Sequence, residues 1–123
     1  MQYLLLIHDP ADEKGWEALP EEARNAFMAE YGVYTEDLRS RGFFVGANQL
    51  QPASTATTVS VRDGETVVTD GPFAETKEVL GGYYLIEVDT LDEAIEWAAK
   101  IPSARFGHIE VRPVVMRTAE VGA

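Results

Sequence analysis

Ionisable side chains that alternate with leucine and valine in three apolar stretches are the first candidates for chemistry. They are His8 in the opening stretch, Glu87 in a later one, and Glu110 with Arg112 near the end. A histidine can exchange protons near neutral pH, and an arginine can hold a carboxylate or enolate oxygen in a bidentate pair. Together with carboxylates that act as acids or bases, these residue types suit proton transfer on a small molecule.

A second candidate is the polar stretch 70–78, with the sequence DGPFAETKE, which lies between two strand-like segments. Asp-Gly-Pro favours a turn, because glycine tolerates unusual φ angles and proline makes its predecessor extended. The connection is longer than an ordinary one of about two to five residues. The predicted catalytic pair is His8 and Asp70. The predicted substrate-binding residues are Glu75, Lys77, Glu78, Tyr83, Glu87 and Arg112.

Each of these residues also has a structural interpretation. A histidine at a strand end, such as His8, can make a single structural hydrogen bond, and Asp70 can cap its own turn. The acids and the arginine of the apolar stretches can form an ion-pair network across an interface. Lys77 can lie in a solvated cluster of charges, which stabilises a fold only slightly. The sequence leaves both interpretations open.

Length, charge and composition narrow the function classes. A chain of 123 residues fits one domain, residues 1–123, around one core. The net charge of −11 disfavours nucleic acid and anionic membrane surfaces as partners. With no cysteine, disulfides and thiolate metal sites are excluded, and the two histidines lie too far apart in sequence for a paired-histidine motif, so no metal and no cofactor are expected. The apolar opening is too short for a signal peptide or a membrane span, which predicts a cytoplasmic protein.

Hydrophobic spacing predicts the elements that must position these side chains. Strands are predicted at residues 2–8, 43–50, 57–62, 65–69, 83–88 and 109–117, with an irregular loop at 9–18 that holds Trp16. A helix over residues 20–41 is predicted from the stripe Ala23, Phe27, Tyr31, Tyr34 and Leu38. A second helix follows a capping box at Thr90, with the stripe Leu91, Ala94, Ile95, Ala98 and Ile101. Asp63-Gly64 predicts a two-residue hairpin turn.

The order of these elements predicts an α+β fold with two helices on one face of an antiparallel sheet. Two helices cannot cover both faces, so the other face needs a partner. Because strand side chains alternate, the set with Tyr3, Leu5 and Ile7 should meet the helices. The ionisable set that includes His8 and Arg112 should share the open face, where we expect a cavity under the 70–78 loop.

The segments DGPFAETKE and GGYYLIEV resemble the signature of the DGPF family, a branch of the YCII-related proteins. The likeness runs from the opening MQYLLLIH to the late VRPV. It implies a ferredoxin-like fold that pairs into a dimeric α+β barrel, in bacterial proteins mostly without a known reaction. Some relatives are encoded beside extracytoplasmic sigma factors. Shorter YCII-type relatives are thought to pair a histidine of the first helix with an aspartate; Asp70 matches through the motif, whereas the helix at 20–41 contains no histidine.

Three functions therefore remain as hypotheses. The first is a homodimer that binds a small polar molecule in a cavity at the sheet face, without catalysis. The second is a cofactor-free acid–base enzyme that uses His8 and Asp70 on a small metabolite. The third is a regulatory accessory protein, as the sigma-factor neighbourhood of relatives implies. A continuous pocket with His8 within hydrogen-bond reach of Asp70 or Glu87 would favour the enzyme.

Overall fold

The computed structural model describes residues 1–74 and 76–117, without the side chain of Glu13. Its strands are β1 (Gln2–Pro10), β2 (Phe44–Gln49), β3 (Thr57–Arg62), β4 (Glu65–Asp70), β5 (Glu78–Glu87) and β6 (His108–Pro113). Its helices are α1 (Glu13–Ala18), α2 (Glu21–Ser40) and α3 (Leu91–Ala99). Over this described part of the chain, no helix combines the length and the apolar character needed to cross a membrane.

Four strands form one antiparallel sheet in the order β2-β5-β1-β6. The strands β3 and β4 pair only with each other, as a separate hairpin. At its turn, Asp63 and Gly64 both have positive φ angles, of 52° and 78°, as a type I′ turn requires. The predicted hairpin is therefore confirmed.

The core lies between one face of the four-stranded sheet and helices α2 and α3. Strands β1 and β5 supply Tyr3, Leu5, Ile7, Tyr84 and Ile86, and the helices supply Tyr34, Leu38, Ala94, Trp97 and Ala98. All of these side chains are buried. The alternation in the strands thus predicted correctly which set meets the helices, and the α+β class is confirmed.

Strand β5 differs most from its prediction, because it begins at Glu78 and not at residue 83. It pairs with β1 through a bulge: Ile7 lies opposite Gly82, and His8 lies opposite Leu80, so Gly81 is the extra residue. The predicted strand starts just after Gly81-Gly82, whereas glycine also marks bulges within strands, as it does here. The polar connection before β5 is correspondingly shorter than predicted.

Three smaller predictions were wrong. The stretch 9–18 is not an irregular loop, because β1 continues to Pro10 and α1 follows, capped by an Asp12 side chain that accepts a hydrogen bond from the amide of Gly15 at 2.9 Å. The last strand stops at Pro113, four residues before the predicted end. In α3 the buried aromatic is Trp97, and the predicted stripe member Ile95 is about half exposed.

Candidate functional site

A cavity of about 1280 Å³ lies on the helix side of the sheet, between α1, the first half of α2 and the bulged end of β1 and β5. Helix α2 buries Tyr34 and Leu38 in its second half, whereas Ala23 in its first half is exposed. The apolar stripe of α2 therefore runs past the end of the core and becomes the roof of the cavity. The floor contains Ile7 and Tyr84, whose side chains belong to the core below.

One wall of the cavity is aromatic. The ring centroids of Trp16 and Phe27 lie 5.8 Å apart, and Phe27 lies 5.5 Å from both Tyr31 and Phe106. Despite these contacts, Trp16 is 39% exposed and Phe106 is 54% exposed. An exposed aromatic surface that lines a concavity is typical of a site for the apolar part of a ligand.

The polar centre of the cavity is Asp9, near the end of β1. Its Oδ1 atom is shielded from solvent and has no hydrogen-bond partner among the described residues. Burial raises the pKa of the Asp9 carboxyl above its ordinary value; the hydrogen-bonding Ser103 lowers it, Glu78 raises it further, and His8 lowers it. A half-buried carboxyl with a raised pKa in a cleft is a candidate functional group.

Two hydroxyl groups connect Asp9 to helix α2. The Tyr31 hydroxyl lies 2.6 Å from Ser103 Oγ, and Ser103 is the neighbour whose hydroxyl lowers the pKa of the Asp9 carboxyl. Burial raises the pKa of Tyr31 to about 12, so its hydroxyl keeps its proton at neutral pH. Since the hydroxyl of Ser103 has one proton, Tyr31 donates to Ser103 whenever Ser103 donates to Asp9. This arrangement orients the carboxyl but leaves its Oδ1 atom unsatisfied.

The bulge residue Gly81 makes room for the Asp9 carboxylate. A Cβ atom at this position would lie 2.3 Å from Asp9 Oδ2, which is far inside van der Waals contact. The strand is held there on its other side, because the Leu50 amide donates to the carbonyl of Gly81 at 2.9 Å. Any side chain at position 81 would therefore displace the carboxylate and not the strand.

We expect Gly81→Ala to disturb the site without unfolding the protein. The Asp9 side chain can rotate away from a new methyl group, so the free energy of unfolding should change by about 1 kcal/mol or less. Ligand binding in the cavity should weaken, since the carboxylate leaves its position. The matched control is Gly46→Ala in β2, where a Cβ would meet nothing within 4 Å. Equal binding by both variants, measured by titration, would contradict this role of Gly81.

Two of the predicted site residues, His8 and Arg112, meet Glu110 on the open face of the sheet, opposite the cavity. His8 Nε2 lies 3.3 Å from Glu110 Oε1, and Glu110 accepts a hydrogen bond from Arg112 Nε at 3.1 Å. The Arg112 guanidinium, with a smaller contribution from His8, holds the pKa of the Glu110 carboxyl below its ordinary value. Glu87 is on the same face but lies opposite Gln2, six residues along β1 from His8, or about 20 Å away.

The predicted loop residues lie at separate places. Asp70 ends β4 and is exposed, opposite Thr57 in the hairpin. Within the described chain, no hydrogen bond joins Asp70 to His8, and their catalytic pairing stays a prediction. Lys77 is exposed, and its carbonyl accepts from the Ala11 amide at 2.9 Å.

The remaining predicted residues include two that border the cavity region. Glu78 contacts His108 Nδ1 at 2.7 Å and acts electrostatically on Asp9. Tyr83 is among the lining residues, and its hydroxyl accepts a hydrogen bond from Asn48 Nδ2 at 2.8 Å. Glu75 lies outside the described residues.

Sequence reasoning missed Asp9, because the first strand was predicted to end at residue 8. The alternation of β1 contained the signal, because Asp9 has the same parity as Ile7 and therefore points to the helix side. An acid at that parity must be buried or line a cavity. Trp16, predicted in an irregular loop, lies in the cavity wall against Phe27.

Comparisons with known proteins give a family and no reaction. The family model described as the YCII-related domain matches residues 1–117. The chain is also similar to an uncharacterised protein of Rhizobium meliloti (strain 1021), with 36% identity over 118 residues and 94% of each chain covered.

Proposed function

This chain belongs to the family of YCII-related domains, and we propose that it binds a small molecule in the cavity beneath α1 and α2, with Asp9 as the polar anchor. The observation that carries this proposal is Asp9, which lines a cavity with an aromatic wall and whose carboxylate oxygen Oδ1 is shielded from solvent and has no hydrogen-bond partner among the described residues. An unsatisfied buried polar atom costs about 1–3 kcal/mol. A ligand that contacts the carboxylate offsets this cost, and its apolar part covers the exposed rings.

The two tryptophans of the chain allow a direct test. Trp97→Phe leaves Trp16 in the cavity wall as the only tryptophan, so its fluorescence reports on occupancy of the cavity. A set of small metabolites is titrated into this variant, and at least one should change the emission with saturation. Trp16→Phe is the matched control, since its remaining Trp97 is buried in the core and should stay silent. A signal of equal size in both variants, or no saturable signal from any compound, would overturn the proposal.

We further propose that the open face of the sheet pairs with a second copy, as the sequence and its resemblance predicted. The strand order β2-β5-β1-β6 is that of a ferredoxin-like sheet, and no described helix covers this face. Leu4, Leu6 and Leu85 remain partly exposed there, next to the group of His8, Glu110 and Arg112. A partner would cover the leucines and reduce the exposure of these charges.

Leu4→Lys should weaken this dimer at least tenfold, because it places a positive charge in the apolar row, beside Leu85 and opposite the like charge of Arg112. Analytical ultracentrifugation over a range of concentrations measures the dissociation constant. The control is Val33→Lys on α2, a residue that is 72% exposed on the other side of the molecule. A wild-type protein that sediments as a monomer at all concentrations would reject the dimer.

An acid–base enzyme is a second candidate, favoured by the raised pKa of Asp9 and its hydroxyl neighbours Ser103 and Tyr31. A carboxyl that holds its proton more tightly than usual can donate it to a bound substrate and take it back. The test is to incubate the ligand found by fluorescence with wild type and with Asp9→Asn, and to analyse its chemical fate. Recovery of unchanged ligand from the wild type favours binding over catalysis.

A further inference from the structure

The acidic groups around the cavity differ in whether the protein itself neutralises them. Asp12 accepts the amide of Gly15 as a helix cap, and Glu30 is paired by two hydrogen bonds, of 2.9 and 3.0 Å, with Arg105. The Asp9 carboxylate has no such cation, and its Oδ1 atom has no partner within the described chain. At Asp9 the cavity thus contains a negative charge that no ion pair within the described chain compensates.

No cation of the protein competes for this place. The described residues that line the cavity include Asp9, Asp12, Glu17 and Glu30, and they include no lysine, arginine or histidine. The chain as a whole has a net charge of −11. The potential in the cavity is therefore negative, which attracts cations and repels anions.

The aromatic wall also suits a cation. Trp16, Phe27 and Phe106 line the cavity, and a positive charge is attracted to the face of such rings within about 6 Å. The protein already uses this interaction at one edge of the wall, where the Arg105 guanidinium lies 6.0 Å from the centre of the Phe27 ring. Around the opening, Leu19, Leu50 and Leu80 are between 41% and 43% exposed and form an apolar rim.

We propose that the ligand is an organic amine in its ammonium form, with its N–H groups directed at the Asp9 carboxylate and an apolar body against the aromatic wall. This inference rests on the proposed function of the cavity and names the chemical class of its ligand. An ammonium group supplies both the missing positive charge and the missing hydrogen-bond donors. A neutral alcohol supplies only a donor, and a carboxylate would add a second negative charge beside Asp9.

Three compounds with the same phenyl body separate these possibilities: phenethylamine, phenethyl alcohol and phenylacetate. Each is titrated at neutral pH into the Trp97→Phe protein, with the fluorescence of Trp16 as the readout. Phenethylamine should bind about ten to a hundred times more tightly than the alcohol, as expected for a hydrogen bond to a charged group. Phenylacetate should bind most weakly.

The same titration with Asp9→Asn added assigns the preference to this residue. Asparagine has nearly the same shape without the charge, so the preference for the amine should fall at least about tenfold while the affinity for the alcohol changes little. Glu36→Gln is the matched control, because Glu36 is an exposed acid of α2 outside the cavity lining, and the amine preference should persist.

The outcomes distinguish this inference from the proposed function. Tighter binding of the alcohol or of phenylacetate overturns the amine and leaves the cavity as a binding site. An amine preference that survives Asp9→Asn also overturns the inference, because another acid then supplies the charge. Silence from all three compounds overturns it as well, and the proposed function then stands or falls by the titration of the whole metabolite set.

Discussion

Asp9→Asn should make the free protein more stable and at the same time abolish most of its affinity for an amine. In the wild type, burial disfavours the charged carboxylate, as the raised pKa of Asp9 shows. Asparagine removes this charge and keeps the shape of the side chain. The expected gain is about 0.5–2 kcal/mol, the range of single stabilising substitutions, or a rise of a few degrees in Tm. Binding of phenethylamine should fall at least about tenfold.

The pH dependence of this gain has a definite sign. The folded protein raises the pKa of Asp9 above its unfolded value, so the fold binds this proton more tightly than the unfolded chain does. Protonated Asp9 therefore makes its full contribution to the stability of the wild type below its pKa in the unfolded chain. This contribution is lost as the pH rises through its pKa in the folded protein. The variant has no such loss. The difference in Tm between the two proteins should be near zero at about pH 3.5 and largest at neutral pH.

Other titratable groups near Asp9 are present in both the wild type and the variant. Their own effects on stability therefore cancel in the difference in Tm between the two proteins. Glu78 and His8 both act on the Asp9 carboxyl, and His108 is paired with Glu78. Asp12→Asn serves as a control, because its carboxylate caps α1 at the exposed edge of the same cavity. A wild type that is more stable than Asp9→Asn at neutral pH would show that Asp9 is a structural residue, and the binding proposal would lose its main support.

The sheet and its buried face could be predicted because alternation in a strand follows directly from the sequence. Leu5 and Ile86 are both fully buried, and their neighbours on the chain point to the open face. The Asp63-Gly64 turn and the Thr90 helix cap were predictable for a similar reason, since each is determined by two or three adjacent residues. Of the four ionisable residues predicted on the open face, His8, Glu110 and Arg112 meet, whereas Glu87 lies at the other end of the strands.

The cavity could not be predicted in the same way, because it depends on where α1 and α2 extend beyond the core. The stripe of α2 gives no sign that Ala23 would face an empty volume while Leu38 faces the sheet. The bulge at Gly81, which creates the place for the Asp9 carboxylate, results from a register shift between two strands distant in sequence. The sequence pattern within a single strand contains no information about a register shift relative to another strand.

Trp97→Ala should have the largest effect on stability of the substitutions considered. Trp97 is 4% exposed, and its ring lies 5.8 Å from that of Tyr34 and 5.9 Å from that of Phe43. Truncating a buried tryptophan costs about 3–5 kcal/mol, through lost burial and through the cavity that remains. For a domain of this size, the midpoint temperature should fall by about 10 °C or more. Denaturant unfolding followed by circular dichroism measures the change.

Trp16→Ala is the matched comparison, because it makes the same change from tryptophan to alanine in the cavity wall and not in the core. Its ring contacts Phe27 at 5.8 Å but is 39% exposed, so the stability should fall by only about 1 kcal/mol or less. Affinity for phenethylamine, measured by calorimetry, should fall several-fold, because a face of the aromatic wall is lost. The two tryptophans thus separate the part of the helix layer that holds the fold together from the part that holds a ligand. Similar losses of stability in the two variants would mean that the Trp16 wall belongs to the core, and the cavity would then be a packing defect and not a site.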